Sequence, residues 1–426
     1  MGNCAGVRIV KVLFICLDHY PYNGACTSLL EKMLHRGGLK ELLGEVHILT
    51  IKEHYDEADV EYINGITVHR NFFLSSFTKT DILKLFVSNP ILALRAMSVK
   101  MPELCKKHIL RRDPVIKADF KNTLVKQLKK LDTEDYDVII PVCGAYATAA
   151  ATMECLEHSS AKMVVYQVDP CATRRIIPKF SRRGAAEFEQ KLYEKANAII
   201  TTPILYRYIC ENYPESILKK ACAMEFPNVD PDSSDTVLKE HEEYKCVYAG
   251  SIYALARNPK HTVDVFNLLE NSAIKLHFVG VEEKQIYEYV EKGAVGERFV
   301  FHGRLPLEDA RKKIEAADIL VNVGNIMTNQ VPSKIFEYIS ACKPIVNICA
   351  NSDCPSMEYL EKYPLAISVV EGVGTPEEHA EKIEKFILEN AGRSVDKEVV
   401  LAQFKECTAD YCARQMHEVI KDVLAE

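Results

Sequence analysis

The chain has 426 residues, more than one hydrophobic core usually organises, so two domains are expected. Its 48% apolar and 27% charged content fits a soluble globular protein, and a net charge of −7 excludes binding of nucleic acid along the whole length. No apolar run is long enough to cross a bilayer.

The first apolar run, Arg8-Ile-Val-Lys-Val-Leu-Phe-Ile-Cys-Leu17, is broken by Lys11 and followed by Asp18-His19. It predicts a first strand rather than a secretion signal. Further strand-like runs follow at roughly 46–51, 66–70, 138–142, 163–168 and 198–202, alternating with helical segments. A second series lies at roughly 245–250, 275–280, 298–302, 318–323, 344–348 and 366–370. Two such series predict two doubly wound parallel α/β sheets of Rossmann type. Between them stands Pro227-Asn228-Val229-Asp230, followed by a polar stretch of turn formers. The domains are therefore expected at 1–227 and 228–395, with a helical segment at 396–426. Fifteen cysteines without a Cys-x-x-Cys pair read as reduced thiols of a cytosolic protein, and no tight Cys/His cluster suggests zinc. Neither series opens with Gly-x-Gly-x-x-Gly, and no Walker sequence occurs, so dinucleotide and P-loop chemistry are set aside.

The most informative stretch is Gln330-Val-Pro-Ser-Lys-Ile-Phe-Glu-Tyr-Ile-Ser-Ala-Cys-Lys-Pro344, which follows the buried-looking run Asp318–Val323. Pro332 suits the first position of a helix, where its missing N–H has no partner to lose. The amides of Ser333 and Lys334 would then face whatever lies beyond the strand, which favours phosphate. Glu337 returns one turn later to the same face and offers a carboxylate to a vicinal diol. The bland alternative is an ordinary strand–turn–helix unit.

This block resembles the donor-binding helix of GT-B glycosyltransferases, especially the retaining family 4 enzymes. Glu337 matches the second of their two glutamates, and Cys342-Lys343-Pro344 matches the turn after it, with Cys342 where glycine is usual. Asn329 stands where the first glutamate is expected. Pro227-Asn-x-Asp230 is similar to their interdomain hinge. The resemblance implies a GT-B fold of two Rossmann-like domains facing a cleft, with the C-terminal helix crossing back onto the first domain. It also implies a nucleotide-diphosphate sugar as substrate, with neither cofactor nor metal.

Carried over residue by residue, the resemblance gives a donor site. Gly24 keeps one position of a usual glycine pair, and Ala25 replaces the other. Gly250 and Ser251 form the turn after the first strand of the second domain. Arg257 would reach the diphosphate with paired N–H donors, or else be a solvated loop charge. Gly303, Arg304 and Leu305 are assigned to the base, and His302 to the packed sheet. Asn322, Gly324, Asn325, Asn329 and Gln330 would line the sugar end, some of them being turn formers instead. Ser333, Lys334 and Glu337 hold diphosphate and ribose. On the acceptor side stand Gly144, Tyr146, Asp169 and Arg174. Asp169 is either the carboxylate that meets the acceptor hydroxyl or the start of a turn. Asp169, Arg257 and Lys334 carry the catalytic roles, through positioning and charge stabilisation rather than a nucleophile.

From Thr78 to Leu131 there are thirteen Lys/Arg against four Asp/Glu, interspersed with leucines. This suits docking on an anionic membrane surface or, equally, a set of solvated helix faces. The aromatics are not interleaved with the cations, which disfavours nucleic acid. The leading expectation is a retaining transferase acting on a glycan or lipid-linked acceptor in bacterial surface polysaccharide or glycolipid assembly. It would be cytoplasmic or peripheral at the inner membrane face. The alternatives are a nucleotide-sugar 2-epimerase of the same architecture and a non-catalytic binding protein.

Overall fold

The computed structural model describes residues 10–18, 25–52, 54–108, 116–143, 146–171, 182–231, 242–252, 257–286, 289–290 and 296–426. The chain forms two compact units, Met1–Pro227 with Ala409–Glu426, and Asn228–Thr408. Residues 396–408, expected with the C-terminal segment, thus cluster with the second unit instead. The helix Lys397–Gln403 buries Val400 there, and the Cys407 carbonyl accepts from the Val229 amide at 2.9 Å.

The first unit is built on an eight-stranded sheet of β1 (Val10–Ile15), β2 (Gly44–Ile51), β3 (Val60–Ile63), β4 (Ile66–Asn71), β5 (Val138–Pro141), β6 (Lys162–Gln167), β7 (Ala198–Thr201) and β8 (Ala221–Ala223). The spatial order is β3-β4-β2-β1-β5-β6-β7-β8, parallel except for β3 against β4. Val12 of β1 sits in register between Val46 and Val138, so the strand lies inside the sheet, and after Lys11 its residues Val12 to Ile15 are all buried. β3 and β8 were not expected. A sequence signal for β3 exists: Asn64 and Gly65 both take positive φ, 50° and 79°, the requirement of a two-residue hairpin turn.

The C-terminal helix Ala409–Ala425 buries Cys412, Ala413, Met416, Ile420 and Val423 within this same unit. It comes so close to Gly37 that a Cβ there would run into the Ala409 carbonyl.

The second unit has six parallel strands, β9 (Tyr244–Ala249), β10 (Ile274–Val279), β11 (Phe299–Gly303), β12 (Ile319–Val323), β13 (Ile345–Cys349) and β14 (Ala366–Val370). Their order is β11-β10-β9-β12-β13-β14. The chain leaves β9 toward one edge and returns at β12 to build the other. The carboxyl ends of β9 and β12 therefore flank a topological switch point, where open α/β sheets bind ligands. Among the described residues no helix is long and apolar enough to cross a membrane.

Among the described residues three histidine pairs cross neighbouring elements: His47 with His69, His261 with His379, and His277 with His302. In the first pair His47 also meets Tyr136 Oη at 2.9 Å and Glu45 at 3.0 Å. Burial lowers the His47 pKa and takes that of His69 from 6.5 to about 4, with the charge of His47 adding to the effect. Between those two values the unfolded chain binds a proton at His69 that the folded chain refuses. Stability contributed by His69 is thus present above pH 6.5 and lost as pH falls toward 4. The urea midpoint should decline over that interval, and His69→Gln should flatten the decline. Equal slopes in the two proteins would remove His69 from the account.

Candidate functional site

The carboxyl end of β9 is tightly fitted. A Cβ on Gly250 would stand 3.0 Å from Lys334 Cε, 3.1 Å from its Cδ and 3.2 Å from Tyr248 Oη. The missing side chain lets Lys334 lie across the strand end, and a Cβ there would press the lysine stem aside. The ends of the three neighbouring strands are stitched by main-chain bonds, Gly250 N to Val279 O at 2.8 Å and Gly280 N to Gly303 O at 2.7 Å.

Lys334 opens the helix Lys334–Ser340, and Glu337 follows one turn on, with its Oε2 3.8 Å from the Lys334 ammonium. Both side chains are part-exposed, so the pair itself adds little stability and both charges remain available to a ligand. The helix begins two residues later than the proline suggests, with Ser333 as N-cap and Pro332 before it. The Pro332 carbonyl nonetheless accepts from the Ile335 amide at 3.0 Å, so the first turn is formed. The amides of Ser333 and Lys334 donate to nothing among the described residues.

Tyr338 fixes the helix against the sheet. Its hydroxyl accepts from the Ala249 amide at 2.8 Å, and burial pushes its phenol far above the usual range. On the next face Phe336 packs edge-on against Tyr359 with centroids 4.8 Å apart. The junction residues are strapped to the same helix. Asn228 Nδ2 donates to the Ser333 carbonyl at 3.4 Å, Ser340 Oγ to the Asn228 carbonyl at 3.1 Å, and the Asp230 amide to Ser340 Oγ at 3.0 Å.

Arg257 differs from expectation. Its Nε and Nη2 both donate to Asn325 Oδ1, at 3.1 and 2.8 Å, while Nη1 reaches Tyr248 Oη at 3.1 Å and the Ser251 carbonyl at 3.2 Å. Those four bonds leave one of the five guanidinium N–H groups over. Paired donation to a diphosphate is therefore not open to Arg257 in this arrangement; it pins the loop after β9 to the loop after β12. Asn325 is held in turn by donating to the Gln330 carbonyl at 3.1 Å.

Other assignments also change. Asn322 does not line the site: it is buried in β12 and donates to its cross-strand neighbour Asn347 at 2.8 Å. Gly324 is a packing glycine, since a Cβ there would lie 2.9 Å from Cys354 Sγ and 3.1 Å from Cys349 Cα. Those two thiols hydrogen-bond each other, which lowers the Cys354 pKa and raises that of Cys349. Asn329 is half-buried in the same loop as Gln330. Gly303 ends the edge strand β11, two strands from β9, and Arg304 and Leu305 follow it, with Arg304 exposed. His302 stacks on His277 with centroids 5.3 Å apart.

In the first unit Gly24, Gly144 and Arg174 lie outside the described residues. Tyr146 is buried and its hydroxyl donates to the Asp169 carbonyl at 2.7 Å; Gln167 Nε2 donates to the same carbonyl at 3.1 Å. Tyr146 thus shapes the Asp169 turn rather than facing open space, and Asp169 keeps a half-buried position at the carboxyl end of β6. Two residues escaped sequence reasoning. Tyr248, a partner of Arg257, looked like one more apolar strand residue. Asp18 accepts from Thr27 Oγ1 at 2.5 Å just beyond β1, beside the switch point of the first sheet.

Residues 230–398 match the family model described as glycosyl transferases group 1. No protein of curated function matches the sequence. Among solved structures, the chain is similar to the lipopolysaccharide outer core galactosyltransferase WaaB, at 11% identity and a TM-score of 0.58, covering 97% of this chain and 99% of that one. It is similar to Anabaena HepE in complex with UDP-glucose, at 11% identity and a TM-score of 0.63 over 97% and 99% of the two chains. Likewise it resembles S. aureus TarM in complex with UDP and glycan ligands, at 12% identity and a TM-score of 0.60 over 98% and 100%. At these identities the likeness establishes the fold. The chain has the GT-B fold, and its residues 230–398 match the group 1 glycosyl transferases.

Proposed function

We propose that the protein is a retaining glycosyltransferase that moves a sugar from a nucleotide-diphosphate donor to a glycan or lipid-linked acceptor. The observation that carries this reading is the placement of Lys334 and Glu337, one turn apart, over the carboxyl end of β9 at the switch point of the second sheet. A cation beside two unengaged amides suits a diphosphate, and a carboxylate beyond it suits a ribose diol. The group 1 match over this unit, and the UDP-glucose and UDP held by two similar structures, support the same donor class.

In the proposed reaction the bond between the anomeric carbon and the diphosphate oxygen breaks. The acceptor oxygen bonds to that carbon on the same face, and its proton passes to the departing phosphate. Lys334 and the helix amides stabilise the charge that gathers on the diphosphate, so the residues present can serve without a metal. Asp169, on the turn fixed by Tyr146, is the proposed contact of the acceptor hydroxyl. Surface polysaccharide or glycolipid assembly is the proposed setting, in keeping with the lipopolysaccharide role in the name of the similar WaaB.

Calorimetric titration with nucleoside diphosphates tests this directly. Binding should be saturable, and Glu337→Ala should weaken it by about 1.5–3 kcal/mol, the range for hydrogen bonds to charged groups. Affinity unchanged by that substitution would remove the ribose role. No binding of any nucleoside diphosphate to the wild type would remove the donor reading altogether.

A further inference from the structure

The helix Lys79–Ser88 and the helix Pro90–His108 form a hairpin in the first unit, joined at Asn89. Its inner face is conventional: Ile82 and Ala96 are buried with Phe77, Leu85 and Leu92 pack beside them, and Ala93 is buried too. The outer face is not. Leu83, Phe86 and Val87 on one helix, and Ile91, Leu94 and Met101 on the other, recur at helical spacing and are all exposed, Val87 to 91% and Ile91 to 68%. Each helix therefore carries a second apolar stripe that the fold does not cover. Clustered exposure of this kind marks an interaction surface.

The charges around it indicate what covers it. Residues 85–94, the end of the hairpin, read Leu-Phe-Val-Ser-Asn-Pro-Ile-Leu-Ala-Leu without one charge, and Lys84 and Arg95 bound the stretch on either side. Across 79–108 there are six basic residues against two acidic ones. An uncharged apolar end with cations set one turn back meets acyl chains first and phosphates second. The helix Ala118–Leu131 is different. Its Leu124, Val125 and Leu128 are buried in the core with Leu13 and Ile15, which leaves its lysines as an ordinary solvated face. The basic segment is thus not one surface, and among its described residues only the first part has an uncovered apolar stripe.

We infer that the hairpin end from Leu85 to Leu94 docks into the outer acyl layer of an anionic bilayer, with Lys84 and Arg95 at the lipid phosphates. The inference rests on the proposed function only for its meaning, namely the surface at which a lipid-linked acceptor is met.

The chain contains no tryptophan, so Val87→Trp makes a protein with a single tryptophan, whose emission is read with excitation beyond the tyrosine band. With vesicles of mixed phosphatidylcholine and phosphatidylglycerol its emission should shift to the blue and be quenched by brominated acyl chains. With phosphatidylcholine alone it should do neither. Tyr62→Trp, at a position 76% exposed on β3, should stay unshifted with both. In sedimentation, Val87→Asp with Ile91→Asp should lower recovery with anionic vesicles roughly tenfold or more, while Lys126→Glu with Lys129→Glu should change it less than about twofold. No shift with anionic vesicles, or equal shifts with both lipids, would overturn the inference. So would a lipid-free dimer that the two aspartates convert to monomer, which would give the face to a second copy. Nucleoside diphosphate titrations run without vesicles keep the two readings apart, because donor binding can stand while vesicle binding fails.

Discussion

Replacing Lys334 by alanine should lower kcat/KM for the nucleotide-sugar donor roughly 100- to 1000-fold, about 2.7–4 kcal/mol, with little change in thermal midpoint. The expected split follows from how the side chain is used. Lys334 is part-exposed, its ionic neighbour among the described residues is Glu337 at 3.8 Å, and its stem rests over a glycine rather than in the core. Removing it leaves no buried group unsatisfied, so stability is spared. What is lost is the cation at the start of this helix, which matters most when negative charge gathers on a departing diphosphate. Binding of the uncharged nucleoside should be unaffected. Steady-state transfer assays beside nucleoside and nucleoside diphosphate titrations measure each part. A variant that kept wild-type kcat/KM would mean that the diphosphate lies elsewhere.

Arg257→Ala should behave in the opposite way, lowering the unfolding free energy of the second unit by roughly 1.5–3 kcal/mol, as loss of charged hydrogen bonds does. Its guanidinium ties Asn325, Tyr248 and the Ser251 carbonyl together, and truncation strands those partners while untethering the loop after β9 from the loop after β12. Turnover should fall as well, because Asn325 and Gln330 lose their fixed positions. Arg257→Lys should not rescue either property, since an ammonium cannot reproduce the planar fork. Denaturant unfolding, followed with a probe in the second unit, reads the first effect. Full stability with a raised donor KM would show instead that Arg257 works as a plain phosphate ligand.

How far the sequence could be read follows from the distances over which its parts act. Parallel strands covered on both faces appear as apolar runs, so β12 and β13 could be located from their residues alone. β8 is a three-residue Ala-Cys-Ala segment with too little pattern to detect. The juxtaposition of Lys334 and Glu337 was legible because a helix turn places them together within one short motif. Arg257 was legible as a cation after a strand, but not its engagement, because Asn325 is 68 residues away and Tyr248 contributes only a hydroxyl from within an apolar strand. Asn322 misled for a similar reason. Its partner Asn347 comes from the next strand, and an amide pair buried across two strands looks in sequence like two polar residues in want of a ligand.

The binding of Asn228 and Asp230 to Ser333 and Ser340 has a mechanical side. The chain enters the second unit already fastened to the helix that presents Lys334 and Glu337, with no free loop between the two. A pull on the polypeptide at Asn228 would therefore reach the start of that helix without slack.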